Sequence, residues 1–547
     1  MRIVIASFLA IGLGASPLTA QPHDAQARAE KIFENIAKDA PGCAAGAMLD
    51  GKTIFAKGYG LADLEHNAPL TERSPVYLAS VSKQFTALAI LMLEKEGKLK
   101  RGDSVRKYLP ELGGYADGIN IGHLLTHTGG LRNYYALGDY AGNPDGFVST
   151  EADFLKTMGR LKSADFPPGS KWAYSNSGYL ALSLIVERVS GKNLNEFARD
   201  RIFAPLGMNN TLYAHDHRQM IPGKATGYSR KDGAWRTTNV LFDTVGDGGM
   251  YSTIENMLLW AKNFKAPSIG AEALALMPVS AVLNDGKKTN YGMGLVSGEY
   301  RGLKTVFHNG GVQGYATNFI YFPQADFAAV ILCNSGSAKT DKMALGLADI
   351  WLEGRLKEGS ATAPKPPPVE VKLDPKILDA YVGEYLRDEN FAIIVTREKD
   401  RLLADGTGRF MLGLTPMSER SFFTFVPYNF TFDKPGKDGK SQRLVMDENG
   451  TDRVMTRINL PPLTAGELAD IPGRYVDADT GNEVVIVARD GKLVRLGRED
   501  RALVRLTANT FSAGHPHGAV RFIRENGKVT GFTADGAIQN LRFDKQP

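Results

Sequence analysis

Hydrophobic and polar positions follow two periods along this chain, and the periods separate helical from strand-like segments. Apolar residues recur every three or four positions, as in helices, over 25–38, 80–96, 120–127, 178–191, 253–264 and 340–353. Short apolar runs bounded by turn residues predict strands at 43–49, 53–59, 303–308, 315–322 and 327–333. Because strands stand at both ends of a largely helical stretch, we expect an α+β domain whose N- and C-terminal strands join in one antiparallel sheet.

The pattern changes after residue 357. Residues 358–372 contain a small, polar and proline-rich segment, which predicts an extended linker. Beyond it, short β-like runs alternate with turns, and Leu378–Tyr385 matches Leu468–Tyr475 at an offset of 90 residues. The repeat predicts two small antiparallel β-barrel units, 373–460 and 461–547, behind a first domain at 24–357.

The first twenty residues are expected to lie outside the fold. Arg2 provides a positive start, 3–15 is an apolar run, and Leu18-Thr19-Ala20 offers a cleavage site. This pattern predicts a signal peptide at 1–20 and export to the periplasm or the medium, with an uncleaved membrane anchor as the alternative. No later segment reaches about 18 uninterrupted apolar residues, so no membrane span is predicted in the mature chain.

Composition narrows the class of protein. The 547 residues suit two or three domains. Lysine and arginine number 65 against 60 aspartate and glutamate, and the net charge of +5 is spread without a basic block, which argues against nucleic-acid binding. Two cysteines exclude a disulfide-rich scaffold and a multi-cysteine metal cluster. Buried free thiols are the favoured interpretation for both, and a disulfide permitted by export is the alternative.

Three short motifs carry groups suited to acyl transfer. Ser80 and Lys83 stand three residues apart at the start of a predicted helix, so they share one face near its partly positive N-terminus. In Tyr174-Ser-Asn176, a tyrosinate beside a lysine ammonium can act as a base. The run 308–311, His-Asn-Gly-Gly, ends a predicted strand, and a glycine-rich edge lets an N–H face an oxyanion.

Together these motifs resemble the serine β-lactamase and penicillin-binding-protein superfamily. The nearest branch contains class C β-lactamases, D-alanyl-D-alanine carboxypeptidases, D-aminopeptidases and related esterases. The resemblance covers about residues 25–355 and includes the stretches 123–131, 174–182 and 186–208. It implies a serine hydrolase of that fold which needs no metal or cofactor. The two trailing β-units are similar in arrangement to those of the D-aminopeptidase group.

The resemblance also implies a role for each motif residue. Ser80 would attack an acyl carbonyl, Lys83 and Tyr174 would accept its proton, and Tyr174 would then protonate the leaving group. The oxyanion would lie between the N–H groups of Ser80 and Gly311. Asn176 would hold Lys83 and the substrate amide, and water would hydrolyse the acyl-enzyme.

One departure from the family pattern concerns the substrate. Many members carry lysine where this chain has His308, and a histidine that is mostly neutral at pH 7 anchors a carboxylate less well. With His308, Gly310 and Gly311 on the substrate-binding strand, we therefore expect a small or short-peptide substrate that contains a D-amino acid. Peptides bound by a free amine, amides and esters are favoured over β-lactams. A general esterase, a β-lactamase and a catalytically silent sensor of cell-wall peptide are the alternatives.

Other polar residues receive structural interpretations. His123 and His127 are four apart on a predicted helix, but no glutamate stands between them in the zinc-protease position, and no metal site is predicted. His515 and His517 are expected in an exposed loop of the last β-unit, with a loop that reaches over the active site as the alternative. Asp247, which begins Asp-Gly-Gly-Met, is expected in a turn and helix cap and not in a catalytic role.

The resemblance has one further structural implication. In the family sheet, the strand that starts near Cys43 runs antiparallel beside the strand that ends at Cys333. The two Cα atoms would then lie within about 7 Å, close enough for a disulfide. The sequence predicts no particular oligomeric state.

Overall fold

The computed structural model describes most of the chain outside its N-terminus and the predicted linker. The described residues are 22–141, 148–357, 371–408, 410–424, 428–448, 451–497, 500–515, 517–536 and 538–547. The predicted signal peptide and residues 358–370 of the predicted linker therefore lie outside the described residues. Within the described ranges, every helix is too short or too polar to cross a membrane.

Thirteen α-helices are found in the described ranges. They are α1 (Pro22–Lys31), α2 (Lys83–Lys95), α3 (Ile121–Leu125), α4 (Tyr134–Ala141), α5 (Glu151–Arg160), α6 (Asn176–Ser190), α7 (Leu194–Ala198), α8 (Ala204–Leu206), α9 (Ile254–Lys265), α10 (Ala271–Leu276), α11 (Thr340–Trp351), α12 (Pro375–Leu378) and α13 (Ala465–Asp470). Short 3₁₀ helices occupy Ala79–Ser82, Val105–Lys107 and Gly114–Ala116, and Arg199–Phe203 is a π-helical turn. Two helices are shorter than predicted: α1 ends at Lys31 and α3 at Leu125.

The strands of the first domain come from both of its ends. They are β1 (Cys43–Leu49), β2 (Lys52–Tyr59), β3 (Leu61–Asp63), β4 (Ala68–Pro69), β5 (Val76–Tyr77), β6 (Ser149–Thr150), β7 (Leu212–Tyr213), β8 (Gly227–Lys231), β9 (Ala234–Thr238), β10 (Phe242–Asp243), β11 (Met250–Ser252), β12 (Val296–Tyr300), β13 (Leu303–Val312), β14 (Tyr315–Phe322) and β15 (Phe327–Cys333). Six of them form an antiparallel sheet in the order β12-β13-β14-β15-β1-β2. This confirms the predicted α+β sheet.

Helices cover both faces of this sheet. Alternate residues of β1 enter two different apolar clusters: Ala45 and Ala47 pack toward α1 and α11, while Ala44 and Met48 pack toward the core that contains α2, α6 and α9. Because both faces are covered, β14 and β15 are buried along their whole length. β15 is accordingly a continuous apolar run, and β14 is apolar apart from Thr317 and Asn318.

The two cysteines are bonded to each other. Cys43 on β1 stands directly opposite Cys333 on β15, with the Cα atoms 4.0 Å apart, and the sulfurs form a disulfide. The prediction of two free thiols is therefore wrong. The family sheet, which brings the two strands together, implied the correct pairing.

The C-terminal part contains two antiparallel β-units. The first is a closed barrel of β16 (Gly383–Asp388), β17 (Phe391–Glu398), β18 (Arg401–Gly406), β19 (Phe410–Pro416), β20 (Ser421–Phe423), β21 (Tyr428–Phe432), β22 (Arg443–Glu448) and β23 (Thr451–Arg457). The second is a nine-stranded sheet of β24 (Gly473–Asp477), β25 (Glu483–Arg489), β26 (Lys492–Arg495), β27 (Arg501–Ala502), β28 (Val504–Arg505), β29 (Thr510–Ser512), β30 (Ala519–Glu525), β31 (Lys528–Asp535) and β32 (Leu541–Lys545). Its end strands, β27 and β28, are separated by one residue, so the sheet curls until its ends meet.

The sequence repeat corresponds to a shared structural unit. In each unit the first strand pairs with the last, and a buried tyrosine on the first strand donates a hydrogen bond to the carbonyl four residues earlier. A cation from the last strand lies over each ring, Arg457 over Tyr385 and Lys545 over Tyr475. The glycine two positions before each tyrosine leaves room for that cation, because a Cβ there would contact it.

The second β-unit docks against the first domain. Gln539 accepts a hydrogen bond from buried Arg132 Nη1 at 2.9 Å and donates its own N–H to Asp165 Oδ1 at 2.9 Å. His515 lies elsewhere: its N–H donates to Asp405 of the first β-unit at 3.2 Å. The His515 loop therefore packs between the two β-units, partly buried, and neither the exposed position nor the reach over the active site that the sequence suggested is found.

Candidate active site

The nucleophile candidate lies on a strained turn that leads directly into a buried helix. Ser80 is part of the 3₁₀ helix Ala79–Ser82, and α2 begins at Lys83. Ala79, immediately before it, has a φ of 47°, which is rare for a residue with a Cβ and is typical of functional sites. The central sheet holds this turn in place, because Thr317 Oγ1 on β14 donates a hydrogen bond to Leu78 O at 2.8 Å.

Lys83 connects the separate parts of the site. Its Nζ donates to Ser80 Oγ at 3.0 Å, to Asn176 Oδ1 at 2.9 Å and to the carbonyl of Asp247 at 2.5 Å. The side chain is completely buried, and burial lowers its pKa to about 7 although the Asp247 carboxylate acts in the opposite direction. Near neutral pH a large share of Lys83 is therefore uncharged and able to accept a proton.

Tyr174 supplies a second proton-carrying group at the same place. Lys83 Nζ lies 4.9 Å from the centroid of its ring, and the phenol oxygen is buried without a hydrogen-bond partner among the described residues. Burial raises the pKa of Tyr174 well above its usual value. The resting phenol is therefore protonated, so Lys83 is better suited than Tyr174 to act as the first base.

The Tyr-Ser-Asn motif is held by the loop after α3. Ser175 donates from its hydroxyl to Leu131 O at 2.8 Å, and its N–H donates to His127 Nδ1 at 3.2 Å. Asn176 then begins α6, with its side-chain oxygen directed at Lys83. The motif is thus positioned by residues more than forty positions earlier in the chain.

His308 faces the site as a neutral imidazole. It lies on β13, is 5% exposed, and burial together with the nearby Lys83 charge lowers its pKa to about 3. Its Nδ1 is 2.6 Å from the carbonyl of Asn309, which can only accept, so Nδ1 carries the proton. Nε2 then accepts from Tyr291 Oη at 3.0 Å. The imidazole offers no cation to a substrate carboxylate.

Strand β13 is longer than predicted and its second half has a free edge. β12 pairs with it only as far as Phe307, so 308–312 extends beyond that neighbour and runs past the Ser80 turn. A Cβ at Gly310 would lie 2.2 Å from Leu78 O, whereas a Cβ at Gly311 would meet no atom within 4 Å. Glycine is therefore required at 310 for close packing, and Gly311 faces open space.

The site residues lie in a cleft with two lobes that meet at Ser80. The first lobe has a volume of about 250 Å³ and is lined by Tyr77, Tyr135, Asn176, Asp247 and Gly311 among others. The second, about 350 Å³, is lined mainly by apolar and aromatic side chains that include Trp172, Tyr174, Tyr291, Phe307 and His308. A bound molecule is thus offered one lobe of mixed polar and apolar lining and one largely apolar lobe.

The structure brings all seven sequence-predicted site residues to one place, and it adds others. Asp247 was expected in a turn and cap. It does lie in a turn, but the cap of α9 is Thr253, and the Asp247 carbonyl instead holds Lys83. The pair His123 and His127 does not share a helix, because α3 ends at Leu125 and His127 has a left-handed backbone. The residues around Asp247 and His127 in the sequence do not indicate that either one belongs to the same site as Lys83.

Two groups of acidic and histidine side chains in the described ranges are spaced like metal ligands. One lies at 63–66, and the other consists of Asp216, His217 and Asp243. Neither group lines the two lobes beside Ser80. The side chains around Ser80 that suit acyl transfer are those of Ser80, Lys83 and Tyr174.

Fold and site together define a serine hydrolase of the penicillin-recognising type, in which a lysine three residues after the serine and a tyrosine from a second motif handle protons. A family model described as Beta-lactamase matches residues 29–349, and one described as Domain of unknown function (DUF3471) matches 367–457. The chain belongs to the Beta-lactamase family, which confirms the resemblance of the motifs and the hydrolase class.

Curated and solved relatives agree with this membership. Penicillin-binding protein 4* of Bacillus subtilis is 30% identical over 437 residues, which cover 75% of this chain and 94% of that protein. A D-aminopeptidase of Cereibacter sphaeroides is 25% identical over 476 residues, 86% of this chain and 85% of that protein. The octameric penicillin-binding protein homologue from Pyrococcus abyssi has a TM-score of 0.56 at 22% identity, over 88% of this chain and 99% of that one.

Proposed function

We propose that this chain is an exported hydrolase that cleaves amides, peptides or esters containing a D-amino acid through an acyl-enzyme on Ser80. The observation that carries the proposal is the contact between Ser80 Oγ and a buried lysine nitrogen whose pKa is lowered to about 7. Such a lysine can remove the serine proton at neutral pH, which turns a weak nucleophile into an effective one.

The reaction proceeds in two balanced halves. Neutral Lys83 accepts the proton of Ser80 as Oγ bonds to the substrate carbonyl carbon, and the oxyanion faces the N–H groups of Ser80 and Gly311. Tyr174 gives its proton to the leaving group as the scissile bond breaks, and Lys83 returns a proton to Tyr174. Water then attacks the acyl carbon as Lys83 takes one of its protons, and Lys83 passes this proton to Ser80 Oγ as the acid leaves.

Two features support a substrate with a D-amino acid over a β-lactam. A neutral His308 provides no counter-charge for a free carboxylate. In addition, several of the curated relatives that this chain matches over most of their length are named D-aminopeptidase. These features favour substrates recognised by groups other than a terminal carboxylate.

The direct test is turnover by the purified chain without residues 1–20. The substrates are the p-nitroanilides of D- and L-alanine, p-nitrophenyl butyrate and a chromogenic cephalosporin. We expect the D-alanine anilide to be cleaved with a clear preference over the L form, and Ser80→Ala to abolish this, while Ser190→Ala at the exposed end of α6 has no effect. Ester cleavage alone would indicate a general esterase, and rapid cephalosporin hydrolysis a β-lactamase. Silence on all four, without a covalent adduct, would indicate a sensor.

Export has support from two separate parts of the chain. Residues 1–20 have the composition of a signal peptide, and the disulfide between Cys43 and Cys333 is typical of oxidising compartments. We expect the protein expressed in a Gram-negative host to appear in the periplasm with Gln21 as its first residue. Retention in the membrane with an intact N-terminus would show an anchor instead, and retention in the cytoplasm would contradict export.

A further inference from the structure

A buried carboxylate beside the nucleophile takes no part in the steps above. Asp247 is 3% exposed, and its Oδ2 accepts a hydrogen bond from Tyr134 Oη at 3.2 Å. Its Oδ1 is buried and has no hydrogen-bond partner in the part of the chain that the structure describes. A buried carboxylate oxygen without a donor is costly, so a donor from outside the chain would be bound favourably there.

The position of Asp247 makes the substrate the natural source of that donor. Its carbonyl and Ser80 Oγ accept hydrogen bonds from the same atom, Lys83 Nζ. Asp247 also lines the first lobe of the cleft together with Ser80. Among the described residues that line either lobe, Asp247 is the only one with a carboxylate.

We propose that Asp247 binds the α-ammonium group of the substrate and thereby selects amides and esters of amino acids with a free amine. The inference rests on the proposed function and deepens it. In an aminoacyl group bound to Ser80, the ammonium nitrogen is two bonds from the reacting carbon, so it can enter the lobe that Ser80 and Asp247 both line. An ammonium group brings three donors, and charge-assisted hydrogen bonds to a carboxylate are among the strongest in proteins.

Burial raises the pKa of the Asp247 carboxyl, and the charge of Lys83 acts in the opposite direction. When Lys83 is neutral and ready to accept the serine proton, Asp247 has lost its cationic neighbour. A substrate ammonium then replaces that cation at the step in which Lys83 acts as a base. Substrates with the amine removed or acetylated would leave Asp247 uncompensated, and we expect them to react more slowly.

The experiment compares the hydrolysis of two esters with the same leaving group, the p-nitrobenzyl esters of D-alanine and of propionic acid. Both are assayed at pH 7 with the unsubstituted enzyme and with the Asp247→Asn variant. We expect Asp247→Asn to lower kcat/KM for the D-alanine ester by about tenfold to a hundredfold. The propionate ester has no amine, so its kcat/KM should fall at least about fivefold less than that of the D-alanine ester. Asp243→Asn, outside both lobes, is the matched control and should alter neither rate.

Three results would overturn the inference. The first is an equal loss of kcat/KM on both esters in Asp247→Asn, which would mean that Asp247 only positions Lys83. The second is no loss on either ester. The third is an unsubstituted enzyme that does not prefer the D-alanine ester. An enzyme that cleaves neither ester would overturn the proposed function itself.

A second measurement uses the enzyme without substitution, in case Asp247→Asn does not fold. D-Alaninamide should compete with propionate-ester hydrolysis at least about tenfold more strongly than propanamide does. The advantage should disappear as pH rises through the pKa of the inhibitor's amine. Equal competition by the two amides at pH 7 would contradict ammonium binding.

Discussion

The lowered pKa of Lys83 leads to a quantitative expectation for acylation. With a pKa of about 7, half of Lys83 is neutral at pH 7, whereas at the usual lysine pKa of 10.5 only about one molecule in three thousand would be. Burial in the cleft therefore raises the concentration of competent base about a thousandfold. Acylation should increase with pH through about 7 and reach a plateau above it, because the neutral form is the one that accepts the serine proton.

The assay is the pre-steady-state burst of p-nitrophenol from p-nitrophenyl butyrate between pH 5 and 9. Glu151 offers a matched control, because burial raises the pKa of this carboxyl to about 7 as well, yet it does not line the cleft. We expect Glu151→Gln to keep the ascending limb. Lys83→Arg, whose guanidinium stays charged, should reduce the burst rate by at least about a hundredfold at every pH.

Three outcomes would refute the reasoning about Lys83. The first is a burst rate that does not change between pH 5 and 9. The second is a burst rate that still rises at pH 9 without a plateau, which would mean that burial does not perturb the lysine. The third is loss of the limb in Glu151→Gln, which would assign the titration to a group outside the cleft.

Two further predictions concern the framework of the site. Replacing Cys43 and Cys333 by alanine should lower the free energy of unfolding of the first domain by at most about 5 kcal/mol, because the disulfide closes a loop with a sequence separation of 290. Urea denaturation with and without reductant measures this loss. Gly310→Ala should abolish activity, because its Cβ would meet Leu78 O at 2.2 Å and displace the Ser80 turn. Steady-state turnover measures the loss of activity, and a melting curve of the same variant shows whether it is folded.

Controls separate these effects from general destabilisation. For the disulfide, reductant should have no effect on the double alanine variant, and an unchanged urea midpoint in the reduced natural protein would contradict a structural role. For Gly310→Ala, the control is Gly413→Ala on the first barrel, where a Cβ would meet nothing within 4 Å. Full activity in Gly310→Ala would contradict the packing argument.

How far the fold follows from the sequence depends on how completely each element is buried. Strands β1, β14 and β15 begin and end where the predicted strands do, because both faces of the central sheet are covered and each strand is buried along almost its whole length. Strand β12 was missed: Val296–Tyr300 contains a glycine and a glutamate, is partly exposed, and is held by its pairing with β13. Its existence depends on a neighbour and not on its own composition.

The candidate site also has a part that the sequence predicts and a part that only packing creates. Ser80 and Lys83 are recognisable locally, because helix geometry places residues three apart on one face wherever the helix lies. Their contacts with Asn176 and Asp247 join positions 93 and 164 residues away, which no local spacing encodes. The lowered pKa of Lys83 comes from burial and is therefore a property of the assembled domain.

By itself the sequence determined the α+β class, the two-part organisation with a repeated β-unit, and the motifs of a serine hydrolase, because each depends on local periodicity or on short spacings. Only the tertiary structure decided that Cys43 bonds to Cys333, that His308 is neutral, and that Asp247 lines the cleft. The physical reason is common to all three. Bonding partners, desolvation and unmet hydrogen-bonding capacity arise where distant segments pack together, and a linear pattern records only what neighbours along the chain share.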